Sequence, residues 1–251
     1  MGPAARSILL AAVASAGLAA FLTIRPEQPW ILWLTVVLVG LGTDGTVRSN
    51  PHWHGGPAAS AIYLFLPMLA TLAAGLFIDE AMDGYARPIA GVAAGIGVGV
   101  TAFGEYHTVS FGTRLYGAMR LVLAVATYLT AFGLFTVMFT REIEVPLAAA
   151  GVGAVSLMLA IELLRESRLT GRSSILAGIA IGVSLAEFRV VLYFFPLDGL
   201  LAGALLIIGF YLATGISHHL LDEDLEVATL AEYLIVASVS AAAVVLARAY
   251  V

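Results

Sequence analysis

Nine runs of about 20 mostly apolar residues, parted by short polar gaps, constrain this chain more than any other feature. A bilayer core takes about 20 such residues per helix, because each residue rises about 1.5 Å. The runs fall at 7–24, 29–45, 58–78, 88–104, 116–138, 146–164, 174–195, 198–217 and 229–250. Divided over 251 residues they leave no room for a soluble domain. The expected fold is all-α: a polytopic transmembrane helical bundle of eight or nine helices with short loops, one integral membrane domain over 1–251. The second run is the weakest, and a re-entrant segment there would give eight spans. The first run follows a single Arg and resembles a signal peptide in outline, but no small-residue cleavage site leads into a polar sequence, so it is read as a retained helix.

The composition is that of a membrane protein. Hydrophobic residues make up 61% of the chain and charged residues 12%, far from the balance of soluble domains and opposite to that of disordered chains. All 12 basic residues are Arg, which excludes lysine Schiff-base chemistry. The absence of Cys excludes disulfides, thiolate metal sites and thiol nucleophiles. No polybasic run exists to draw the chain to nucleic acid or to an anionic surface. The expected surroundings are the lipid bilayer, with a homo-oligomer or partner membrane subunits and no nucleic acid. No cofactor and no metal is expected.

Punctuation agrees with the runs. Pro29, Pro88 and Pro146 stand where helices should start, where a missing N–H costs nothing. Pro196-Leu197-Asp198-Gly199 reads as a turn, with Asp198 as a cap for the eighth span. Orientation follows from the loops. With nine spans, Arg6, Arg48, Arg114, Arg165, Arg168 and Arg172 share one side, and Arg25, Arg87, Arg141 and Arg248 the other. The cluster Arg165, Arg168 and Arg172 places its loop in the cytoplasm, hence the N-terminus as well, in a multi-pass protein of the cell (inner) membrane.

The candidate functional residues are the ionisable groups inside spans, because such groups are costly there and face interiors or cavities. Arg120, Glu162, His218 and Glu232 come from four different spans towards one membrane face, with Glu105 and His107 near them. Their plain alternative is interfacial anchoring. Glu187 lies deep in the seventh span, and Arg189 two residues on points about 200° away, so each needs its own partner or water. These two are either a proton- or ligand-binding site or structural ion pairs. His52, His54, His218 and His219 fix no third ligand, so they do not define a metal site. Glycines recur at spacing four at Gly91, Gly95 and Gly99, at Gly178 and Gly182, and at Gly199 and Gly203, a pattern that permits close helix contact within the chain or between chains. Trp30, Trp33, Tyr85, Tyr106 and Tyr250 read as interface anchors. No nucleophile elbow, zincin motif or P-loop is present.

Glu187-Phe188-Arg189, Tyr193-Phe194-Phe195-Pro196, Tyr211 with Gly215, and Glu232-Tyr233 give the C-terminal third a look of its own. It resembles a bacterial polytopic membrane-protein family that is a domain of unknown function. The resemblance implies a helical bundle and supplies no activity, cofactor or catalytic residue. Three function classes stay open. One is a carrier or binding protein for a small ligand, lipid or proton. The second is a non-catalytic subunit or assembly factor, and the third is an intramembrane lipid-modifying enzyme. The carrier expects a water-accessible cavity reaching Glu187, and the enzyme expects His218, Glu232 and Arg120 to converge.

Overall fold

The computed structural model describes residues 2–24, 26, 28–56, 59–110, 114–141, 143–165 and 171–247. Among these the chain is helical, with nine helices long and apolar enough to cross a membrane. They are α1 (Pro3–Thr23), α2 (Pro29–Arg48), α3 (Phe65–Ala81, entered through a 3-10 turn at Ala61–Leu64), α4 (Ala86–Thr108), α5 (Tyr116–Thr140), α6 (Val145–Leu164), α7 (Gly171–Tyr193), α8 (Gly199–Leu221) and α9 (Val227–Ala247). The second run is a full helix of 20 residues, which settles the count at nine among the described residues. Arg25, Arg168 and Arg248 of the orientation argument, and Tyr250 of the anchors, lie outside the described residues.

The ends follow local chemistry. Proline stands in the first two positions of α1, α2 and α6, where its fixed φ suits a helix start. Asp198 caps α8 by accepting a hydrogen bond from the Leu201 amide at 2.7 Å, which satisfies one orphan donor of the first turn. Gly84 turns the chain between α3 and α4 at φ 58°, a conformation open to glycine at no steric cost. The structure moves two boundaries that matter. The eighth helix continues to Leu221, four residues beyond the expected end at 217, with His218 and His219 in its last turn. The seventh ends at Tyr193, before Pro196, because residues ahead of a proline leave the α region.

The chain divides into two compact units, Met1–Thr130 and Ala131–Val251, with the boundary inside α5. In the first unit α1 packs most extensively on α4. The glycine stripe of α4 makes this possible. A Cβ on Gly95 would run into the backbone N and Cα of Ser15, and one on Gly99 would meet Ala11 and come within 3.0 Å of the Ser7 carbonyl. The Ser15 hydroxyl donates to the Val92 carbonyl at 3.0 Å across the same seam. Leu18, Phe21, Leu22, Ile31, Leu32 and Ile78 close the apolar core between α1, α2 and α3.

In the second unit α6 and α7 make the tightest pair. Gly182 faces Gly153 so closely that an added Cβ would sit 2.7 Å from the Gly153 carbonyl oxygen. Gly203 and Gly199 of α8 lie against Thr136 and Thr140 at the end of α5, next to the edge-to-face pair Phe135–Phe210. All three glycine stripes therefore serve packing inside the chain, where small residues let backbones approach. The last helix differs: of α9 only Ala237 is buried.

Candidate functional site

Among the described residues of the second unit, Arg189 has two buried side-chain donors without a hydrogen-bond partner. It lies four residues before the end of α7, about 6 Å along the axis. It is only 3% exposed. Its guanidinium carbon sits 3.6 Å from the centre of the Phe139 ring of α5. Nε and Nη1 are both buried and, among the described residues, have no hydrogen-bond partner. A cation over an aromatic face contributes about 2 kcal/mol when desolvated, whereas enclosing an ion costs several kcal/mol even after relaxation. Phe139 alone does not balance that cost. The arrangement leaves two directed donors at a fixed positive charge, which is the chemistry that recognises an oxyanion.

Glu187 occupies the other side of the same helix. It is exposed, within a strip of exposed apolar residues that includes Leu176, Ile179, Val183, Val191 and Phe194. Among the described residues it makes no hydrogen bond or ion pair. The angular separation of about 200° is thus realised as one charge inside and one outside. An ionisable side chain inside a span is costly, which makes Glu187 a candidate binding group or a contact for a partner helix.

The remaining candidates divide differently. Glu162, 1% exposed, pairs with Arg165 one turn on, at 3.1 Å. Beside it the Ser174 hydroxyl donates to the Leu164 carbonyl at 3.1 Å, tying the start of α7 to the end of α6. Glu162 therefore belongs to a structural fastening. Glu232 is exposed in the first turns of α9. His218 pairs with Asp222 at 3.4 Å and His219 with Asp224 at 2.9 Å. The two adjacent rings thus serve separate carboxylates, as helical neighbours must. His219 meets α9 through an edge contact with Tyr233, whose ring also packs on Tyr211. Gly215 makes room for Tyr233, since a Cβ there would collide with the ring. Several residues quoted for the family resemblance thus form one α8–α9 clasp. Arg120 is half-buried in the first turns of α5 and belongs to the first unit. Among the described residues no three His, Asp or Glu side chains gather as metal ligands.

Sequence reasoning missed two features. Asp79, buried near the end of α3, lies 3.8 Å from Arg87, which also pairs with Asp83 at 3.1 Å. The signal was available as acids closing one span and a base opening the next. Phe139 as the platform for Arg189 carried no signal, because nothing in α5 distinguishes it from its neighbours.

A family model described as protein of unknown function, DUF5656, matches residues 12–247. The chain belongs to this family. The DUF5656 match starts within α1 and ends with the last residue of α9, so Glu187, Arg189 and the α8–α9 clasp all lie inside it. No curated protein and no solved structure matches the chain. Family and fold together make it a multi-pass membrane protein of the DUF5656 family.

Proposed function

We propose that this DUF5656 protein binds or carries a small anionic ligand or lipid in the cell (inner) membrane, with Arg189 as the binding group and Glu187 as the proton-coupling group. The observation that carries the reading is the Arg189 guanidinium, buried with two donors unused. A cation in that state costs free energy unless an anion supplied from outside the chain completes it. The N-terminus is cytoplasmic in this reading, on the strength of the arginines around residues 165–172.

A second reading, that of a non-catalytic membrane subunit, is favoured by α9, where only one residue is buried. Its exposed apolar face and the exposed Glu187 would then meet a partner helix. The enzyme reading has less support, because His218 is engaged with Asp222 and Glu232 is exposed.

Native mass spectrometry of the full chain released gently from its own membrane tests the proposal. The expected result is a lone chain or homo-oligomer that retains a defined anionic small molecule or lipid, and loses it on Arg189→Met. The ligand-free Arg189→Met variant should melt at or above the wild-type temperature, since an apolar side chain replaces an unpaired buried charge. Stoichiometric association with other proteins and no retained ligand would overturn the carrier reading and install the subunit.

A further inference from the structure

A groove in the first unit suggests a ligand site independent of Arg189. It runs between α1 and α2, encloses about 350 Å³, and is lined almost wholly by apolar surface, including Leu9, Leu10, Val13 and Leu38. Its only charged lining residue is Arg6. We infer that this groove holds one acyl chain of an anionic phospholipid, with the lipid phosphate on Arg6.

The depth of each residue supports that occupant. Arg6 lies in the first turn of α1 and Gly45 and Thr46 in the last turn of α2, so the charged end of the groove stands at the membrane interface. Val13 is near the middle of α1 and Leu38 near the middle of α2. The trough therefore runs from headgroup level towards the bilayer centre, roughly 10 Å for seven residues at 1.5 Å each. Polarity changes along it in the same sense as along a phospholipid.

The polar groups at the mouth are arranged for an anion. The Arg6 guanidinium donates from Nη1 to the Gly45 carbonyl at 2.8 Å. That bond orients it and uses one of its five N–H donors. Asp44, the residue before Gly45, is engaged by Arg48 at 2.8 Å. The Thr46 hydroxyl is spent on the Gly42 carbonyl at 2.8 Å. Arg6 is therefore the charge the headgroup would meet. The lack of a polybasic run argues against recruitment to an anionic surface, not against one headgroup seated in a groove.

Glycine keeps the groove open. A Cβ on Gly42 would collide with Leu10, so Gly42 lets α1 and α2 approach at the floor. A Cβ on Gly45 would meet nothing within 4 Å. Gly45→Leu therefore fills the trough without disturbing the packing beneath it.

The test uses the full chain in mixed vesicles of equal phosphatidylglycerol and phosphatidylcholine, released for native mass spectrometry with retained lipids counted by headgroup. The wild type should retain one phosphatidylglycerol at least tenfold more often than one phosphatidylcholine. Gly45→Leu should reduce retention of both lipids by about tenfold. Arg6→Gln should abolish the headgroup preference while leaving an acyl-chain adduct, and Arg6→Lys should restore the preference in part. Melting temperatures near wild type in all variants would show the fold intact. Equal retention of the two lipids by the wild type, or undiminished retention by Gly45→Leu, would overturn the inference. Either failure leaves the Arg189 reading standing, because Arg189 belongs to the other unit.

Discussion

Substituting Gly95 by Ala should destabilise the first unit, although alanine is the better helix former. The added Cβ would collide with the backbone N and Cα of Ser15. Backbone cannot rotate away as a side-chain tip can, so α1 and α4 must separate along their closest seam. Overpacking of this kind costs about 1–3 kcal/mol, and rigid backbone on both sides argues for the upper end. Separation also strains the Ser15–Val92 hydrogen bond, worth about 0.6 kcal/mol between membrane helices. Against this stands a helix-propensity gain of about 1 kcal/mol. The net expectation is a loss of about 2–3 kcal/mol. Gly97, two residues along the same helix, provides the control: it is exposed, and a Cβ there meets nothing within 4 Å. Gly97→Ala should gain up to about 1 kcal/mol. The two variants should thus differ by about 3–4 kcal/mol, more than two decades in the folded-to-unfolded ratio. Equilibrium unfolding in mixed micelles, titrated with a denaturing detergent, measures both. A Gly95→Ala protein as stable as Gly97→Ala would refute the close α1–α4 contact and the packing role given to the stripe.

Three further outcomes are expected. Asp198→Ala should lower stability by about 1 kcal/mol through loss of the α8 cap, while Asp198→Asn should lose much less, since its side-chain oxygen can still accept from Leu201; equal losses in the two would remove the cap from the account. Glu187→Gln should alter retention of the native ligand far more than Glu223→Gln in the loop between α8 and α9, and identical retention in wild type and both variants would discard the coupling role of Glu187. A cysteine placed at Ser167 should resist an impermeant thiol reagent in intact cells and react after lysis, and labelling in intact cells would reverse the proposed orientation.

Much of the fold could be read along the chain because the bilayer imposes a one-dimensional test. A run of about 20 apolar residues crosses the hydrocarbon whatever its neighbours are, so α1 to α9 follow from composition taken in order. Asp198 and the prolines at helix starts act within one turn, and they too were legible. What surrounds a side chain once the helix is placed was not. Glu187 and Arg189 stand two residues apart, and their sequence context does not say that one is exposed while the other is sealed over Phe139. Glu162 reads in sequence as one of a group near one membrane face, with Arg120, His218 and Glu232, and only the structure shows it buried and paired with Arg165 beside the Ser174–Leu164 bond. The glycine stripes announced close contact without a partner, and only the packing named α1 for α4, α6 for α7 and the end of α5 for α8. Span and cap depend on depth and local bonding, which the order of residues carries. Partner and burial depend on which faces meet, and that is chosen by the competition among all the helix surfaces at once.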